Sequence, residues 1–201
     1  MIQRMILASN NAKKLKELRE ILADAGVEVI SQREAGCDFE VEETGETFEE
    51  NAWLKASAVT AATGEAAIAD DSGLCVDALG GAPGVLSARF TGNHEDSDEV
   101  RNRFLLEKMK NAEQRSARFV SCICCTLPNG DVLRSRGECE GEILYAPRGE
   151  NGFGYDPVFF VKSAGCAMAE LSAEEKNRIS HRAVALQRFQ KELRDYNAAH
   201  Q

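Results

Sequence analysis

The sequence predicts a domain of the α/β class, and three observations carry that expectation. Met5-Ile6-Leu7-Ala8 is a continuous apolar run of the kind a buried strand shows, and Leu15, Leu18 and Leu22 recur after it at helical spacing until Gly26. Two longer runs, Arg118 to Leu127 and Val132 to Tyr145, flank Pro128-Asn129-Gly130-Asp131, which is a hairpin signal. Near the C-terminus Ile179, Ala183, Leu186, Phe189 and Leu193 form a helical stripe.

Between the first strand and helix lies Ser9-Asn10-Asn11, a polar turn with capping residues. The helix then opens with Lys13, Lys14 and Lys16, although the positive end of a helix dipole disfavours cations. An anion would resolve the conflict, because free amides at a helix N-terminus beside lysines make a phosphate site. Asn10 and Asn11 tolerate the positive φ that such a loop calls for. The same lysines also read as a solvated basic face.

Val27 to Ile30 is expected as a second strand, followed by a loop crowded with Glu40, Glu42, Glu43 and Glu46. Thr47 and Glu50 form a capping box for a helix that runs to about Gly64. Asn51 and Lys55 are i,i+4 neighbours on that helix and share a face.

Next comes ADDSGLCVDALGGAPGVLSARF, Ala69 to Phe90, in which Asp70 and Asp71 follow the apolar run Ala66 to Ala69. Adjacent strand residues point to opposite faces. Both carboxylates can therefore serve one site only where the strand gives way to a turn, which the sequence places at Ser72-Gly73. Carboxylates there suit Mg²⁺, a hard cation that takes one or two of them together with substrate phosphates. The alternative is a turn cap at Asp70 and a solvated Asp71.

Ser97 caps a further helix with Asp98 and Glu99 in its first turn and Val100, Phe104 and Met109 on its apolar side. In the second hairpin strand Arg134, Arg136, Glu138, Glu140 and Glu142 alternate with small or apolar residues, which predicts one wet face. The loop Gly149 to Pro157 carries three glycines, Phe153 and Tyr155 ahead of the apolar strand Val158 to Val161. Glycines let backbone approach a ligand, and Phe153 between two of them offers a stacking surface for a base or a plug for the core. Ser172 and Glu175 form another capping box. In one unbroken helix Lys176 and His181 would diverge by about 140° at ~100° per residue. A break near Ser180 would instead place His181 and Arg182 in the first turn of a second helix, beside free amides.

At 201 residues the chain fits a single domain, 1–201, or one domain with two lobes. With 43% hydrophobic and 28% charged residues it is expected to be globular. A net charge of −9 argues against nucleic acid and anionic membrane as partners. No stretch approaches the ~18 apolar residues of a membrane span, and the apolar run at the N-terminus is too short for a signal peptide. Seven cysteines without framework spacing read as reduced, buried thiols. A cytoplasmic location is the expectation. Neither GxxxxGK[ST] nor GxGxxG after a strand is present, and no Ser/His/Asp arrangement stands out.

Five segments in order resemble the inosine triphosphate pyrophosphatase family, whose members hydrolyse dITP, ITP and XTP: SNNAKKLKE, EETGETFEENAWLKA, ADDSGLCVDALGGAPGVLSARF, GFGYDPVFF and LSAEEKNRISHR. The resemblance implies a mixed α/β fold with a long curved sheet and flanking helices forming two lobes around a nucleotide cleft. It also implies a homodimer and Mg²⁺ as cofactor. Residue by residue, Ser9, Asn10, Asn11, Ala12, Lys13 and Lys14 would hold triphosphate, with Asn10 standing where many members have Gly. Lys55 would reach phosphate and Ser72 would touch the substrate. Glu42 or Glu43 with Asp71 would hold the metal, and Asp71, with Asp70 beside it, would accept the proton of the attacking water. Phe153, Gly154, Tyr155 and Asp156 would line the base pocket, over which Lys176, His181 and Arg182 would close. A Maf-type pyrophosphatase acting on dTTP or UTP and a nucleotide sensor without turnover are the competing readings. The retained acids favour an enzyme, and GFGYDP and SHR favour purine over pyrimidine.

Overall fold

A computed structural model describes residues 2–23 and 25–200, with the side chains of Lys13 and Glu17 outside the description. Among the described residues a seven-stranded mixed sheet runs in the order β2-β1-β3-β4-β5-β6-β7. The strands are β1 (Arg4–Leu7), β2 (Glu28–Ser31), β3 (Ala67–Val76), β4 (Ser116–Thr126), β5 (Val132–Ile143), β6 (Phe159–Val161) and β7 (Cys166–Ala167). Among the described residues five α-helices accompany them: α1 (Ala12–Ala23), α2 (Phe48–Thr63), α3 (Asp98–Lys108), α4 (Ala173–Ile179) and α5 (His181–Ala199). β1 pairs in parallel with β2 and β3, whereas β5, β6 and β7 pair antiparallel. The expected α/β class and its mixed sheet are therefore present.

The chain folds into two compact units. The first takes the chain up to Asp71, then Ser121–Gly137 and everything from Ala185 on. Its strands are buried on both faces. Met5, Leu7, Val29 and Ile68 pack with Leu18 and Leu22 of α1 and with Leu186, Phe189 and Leu193 of α5. Ile6, Ala8, Ala67 and Ala69 pack with Ala56 and Val59 of α2. The period-two alternation of a strand thus sorts β3 into an α1 side and an α2 side. α2 begins with the expected capping box of Thr47 and Glu50 and closes at Gly64.

The second unit comprises Ser72–Val120 and Glu138–Val184. Leu74, Phe119, Cys139, Phe159 and Val161 build its core with Leu105 of α3 and Met109 at its C-cap. Ser97 caps α3 and Met109 is buried, both as expected, but the buried face of the helix runs through Asn102 and Leu105, and Val100 and Phe104 are only partly buried. A polar residue occupies the stripe, which is why the apolar spacing of Val100 and Phe104 pointed to a neighbouring face. On β5 Arg134, Arg136, Glu138, Glu140 and Glu142 are exposed in alternation with less exposed residues, which gives the wet face.

Two local expectations need separate treatment. The break at Ser180 is present, with its ψ of 154° between α4 and α5 and its Oγ accepting from Ala183 N at 3.2 Å. The strand end at Ser72-Gly73 is not. β3 continues through both residues to Val76 and gives way only at the turn Asp77–Leu79, because Ser72 and Gly73 stay within the strand. No described residue other than glycine has a positive φ, so Asn10 and Asn11 keep ordinary backbone conformations. No described helix is long and apolar enough to cross a membrane.

Candidate active site

Because β3 runs straight through Asp70 and Asp71, their carboxylates leave the strand on opposite faces. Asp70 falls on the α1 side, where Lys14 Nζ reaches its Oδ1 at 2.9 Å. Asp71 falls on the α2 side, where Lys55 Nζ lies 3.1 Å from its Oδ1 and Asn51 Nδ2 donates to its Oδ2 at 3.3 Å. The two acids serve one neighbourhood from two sides of a strand and do not converge at a turn.

Lys55 is the centre of the second group. Its ammonium also donates to Glu43 Oε1 at 2.7 Å, so one nitrogen bridges two carboxylates. Burial works against that charge, but Asp71, Asp70 and Glu43 outweigh it and raise the lysine pKa above its usual value. Burial likewise raises the Asp71 pKa, with Lys55 opposing and Glu43 adding to the rise. Asp71 is thus a stronger base than a solvated aspartate. Of the two candidate glutamates, Glu43 joins this group and Glu42 is exposed on the loop.

The acidic loop is held by Asn51, which is 0% exposed. Its Oδ1 accepts from Gly45 N at 2.8 Å while its Nδ2 donates to Asp71, so a single amide ties loop to strand. Gly45 must be a glycine for this approach, since a Cβ there would lie 2.7 Å from Asn51 Oδ1. The sequence marked Asn51 only as a neighbour of Lys55.

At the start of α1, Ser9 Oγ accepts from Asn11 N at 3.1 Å and Asn11 Oδ1 accepts from Lys14 N at 3.2 Å. This capped turn leaves Asn10, Asn11 and Ala12 exposed and Ser9 partly buried. The side chain of Lys13 lies outside the described residues. Ser72 follows Asp71 on β3 and is partly buried.

In the second unit Phe153, Asp156 and Lys176 come together. Phe153 presents a ring that is 47% exposed, and Lys176 Nζ sits 4.6 Å from its centroid while pairing with Asp156 Oδ2 at 2.5 Å. Asp156 Oδ2 also accepts from Phe153 N at 2.9 Å. Tyr155 is buried and donates its hydroxyl hydrogen to Ser87 O at 2.8 Å. His181 and Arg182, expected to close over the nucleotide with Lys176, are 9% and 8% exposed, and the His181 ring stacks on Phe119 at 4.9 Å between centroids. Their position in the first turn of α5 is as expected.

Ser87, whose part the sequence did not reveal, links these elements. Its Oγ accepts from Leu74 N on β3 and donates to Gly84 O, and its carbonyl receives Tyr155. Burial pushes the thiols of Cys124 and Cys139 up to about 11. No cluster of three metal-ligating side chains is gathered among the described residues. The donor set at Lys55 nevertheless fits Mg²⁺, since two hard oxygen donors are the usual protein share when phosphate and water complete the shell.

A family model described as the Ham1 family matches residues 5–192. A dITP/XTP pyrophosphatase of Exiguobacterium sp. is 50% identical over 190 residues, covering 94% of this chain and 96% of that protein. A dITP/XTP pyrophosphatase of Bacillus subtilis is 48% identical over 190 residues, with the same shares covered. Among solved structures, a HAM1 protein from Coxiella burnetii matches with a TM-score of 0.91 at 42% identity, covering 97% of this chain and 100% of that one. Family model, relatives and fold agree along nearly the whole length, and the chain belongs to the Ham1 family.

Proposed function

We propose that this protein is a nucleoside triphosphate pyrophosphatase that hydrolyses dITP, ITP and XTP to the monophosphate and pyrophosphate. The observation that carries the reading is the lysine-bridged pair of Glu43 and Asp71, in a chain about half identical to dITP/XTP pyrophosphatases. Displacement at phosphorus is mainly a matter of positioning and charge stabilisation. Lys14 and Lys55 supply cations, and the positive end of the α1 dipole favours phosphate at the same turn. A triphosphate would compete for both ammonium groups with Asp70, Asp71 and Glu43, the carboxylates that hold them.

Glu43 and Asp71 are the residues that would hold Mg²⁺, which supplies charge neutralisation on the triphosphate when bound. Asp71 accepts the proton of the water that attacks the α-phosphorus. The bond from that phosphorus to the bridging oxygen breaks, and pyrophosphate leaves with the electron pair. Asp70 keeps Lys14 in place from the other face of β3.

For the base, Phe153 offers an exposed ring for stacking. A 6-oxo purine presents an acceptor where adenine presents an amino donor, so the donor-only groups of Lys176 and Arg182 favour the oxo form. The buried His181 supports the start of α5 through its stack on Phe119. A homodimer and a cytoplasmic setting belong to the same reading.

The test is pyrophosphate release with Mg²⁺ across dITP, ITP, XTP, GTP, ATP and dTTP, for wild type and Asp71→Asn. The expected result is a marked preference for dITP, ITP and XTP in the wild type and loss of turnover with retained fold in the variant. Preference for dTTP would favour the Maf-type activity, and no release from any nucleotide would favour a sensor. Near-normal kcat in Asp71→Asn would remove that residue from the role of base.

A further inference from the structure

The loop that presents Phe153 is tied to α3 at Gly154, the residue next to the ring, and at Asn151 to Ala169 and Leu171. Gly154 N donates to Asp98 Oδ2 at 2.6 Å, and Gly154 O accepts from Asn102 Nδ2 at 3.0 Å. Asp98 and Asn102 are four residues apart and share a face of α3. Arg101 fixes Asp98 in turn, its Nη2 lying 2.5 Å from Asp98 Oδ1. Both hydrogen-bonding groups of Gly154 are therefore satisfied by side chains of α3.

Asn102 is an unexpected residue for its position. It is 5% exposed and sits on the buried stripe with Leu105 and Met109, where an apolar side chain would pack without penalty. Its Oδ1 is buried and makes no hydrogen bond among the described residues. A buried amide with an unmet acceptor costs stability, so packing does not account for it. What Asn102 does is orient the Gly154 peptide. Gly154 has a φ of +62°, and glycine is the residue with the widest conformational choice. Fixing it settles the direction of the chain on both sides: Phe153 before it, and Tyr155 and Asp156 after it. Asp156 in turn holds Lys176 over the Phe153 ring.

Taking the function proposed above as given, we infer that Asn102, with Asp98, is a positioning residue for base selection. It sets the plane of Phe153 and the place of Lys176 without touching the nucleotide. Removing it loosens the loop, which weakens binding of the preferred bases and lowers discrimination against ATP, while the phosphate chemistry at Asp71 proceeds.

The experiment compares Asn102→Leu, which keeps an apolar-compatible volume and removes the donor, with Asp98→Ala, which removes the other bond to Gly154. Glu99→Ala serves as control, because it deletes a first-turn acid of the same helix. Measurements are kcat and KM for dITP, ITP, XTP and ATP, equilibrium binding of IMP and AMP, the monophosphate products of ITP and ATP, and Tm. The expected result for both Asn102→Leu and Asp98→Ala is a rise in KM for dITP and a fall in the dITP to ATP ratio of kcat/KM, each about tenfold. Saturating kcat stays near wild type, and Glu99→Ala changes neither. A role confined to packing would move Tm and leave the ratio alone. If Asp98→Ala folds and both its ratio and its IMP to AMP binding preference match wild type, the inference is wrong. A wild type that neither hydrolyses nor binds these purines overturns the functional reading itself, and the two failures are thereby distinguished.

Discussion

Asn51 Nδ2 lies 3.3 Å from Asp71 Oδ2, and the other end of the same amide holds Gly45 of the acidic loop. Glu43 and Asp71 therefore meet at Lys55 because a fully buried asparagine fixes their distance. Asn51→Ala is expected to leave the fold intact and to lower turnover about 10- to 100-fold, the usual cost of losing a group that orients a ligand. It also leaves the Gly45 N–H unpaired, at a cost to stability of about 1–3 kcal/mol. Steady-state kinetics and titration of the Mg²⁺ requirement check this. Unchanged kcat at unchanged Mg²⁺ demand would show that the acidic loop holds its place without Asn51.

Gly152 carries a comparable constraint in the second unit. Its φ is +79°, and a Cβ would lie 2.0 Å from Asp156 Oδ2, the atom that binds both Phe153 N and Lys176. Gly152→Ala is expected to raise KM for dITP on the order of tenfold by displacing that carboxylate. Gly165→Ala is the control, since Gly165 has a similar φ of +71° with nothing within 4 Å of its Cβ. It bears the backbone cost alone, about 1–2 kcal/mol, and should keep wild-type KM.

How much of this was legible in the sequence depends on the range over which each signal acts. Thr47 with Glu50, Ser172 with Glu175 and the cap at Ser180 are local patterns, and each forms as written. Asp70 and Asp71 were marked as a site, but their opposite directions follow from β3 continuing past Gly73. Strand continuation is decided by neighbouring strands distant in sequence. Choosing Glu43 over Glu42 required the location of Lys55, twelve residues on. Asn102 was hidden most completely, because a lone asparagine on a helix reads as a surface residue and its partner Gly154 is 52 residues away.

Asp77 gives a pH-dependent prediction. Ser116 Oγ donates to its Oδ2 at 2.7 Å and Arg118 Nη2 to its Oδ1 at 2.8 Å, and these contacts hold its carboxyl below the usual aspartate value, the Ser116 bond foremost. A carboxyl depressed by folding contributes stability that is present above its unfolded pKa, about 3.9, and is lost as pH falls through the folded value. Asp77→Asn should therefore lower Tm at neutral pH, and the gap to wild type should narrow as the medium is acidified below the ordinary aspartate range. Thermal melts of both proteins from neutral to acid pH test the sign. A gap that stays constant would mean that Asp77 contributes through packing and not through its charge.

Two phenylalanines separate stability from function. Phe189 of α5 is fully buried among residues of α1 and β1, so Phe189→Ala is expected to cost about 3–5 kcal/mol through lost burial and a residual cavity. In a chain of this size that corresponds to a fall in Tm of about 6–20 °C. Phe153 is half exposed, and Phe153→Ala should change stability by about 0.5 kcal/mol or less. Its loss should appear in binding, because base–aromatic stacking contributes about 1–3 kcal/mol per base. Urea unfolding and KM for dITP, measured on both variants, should therefore move in opposite patterns. Phe189→Ala shifts the unfolding midpoint and leaves KM of the folded fraction alone; Phe153→Ala raises KM and leaves the midpoint. A drop in stability for Phe153→Ala as large as that for Phe189→Ala would make Phe153 a core plug and remove it from base recognition.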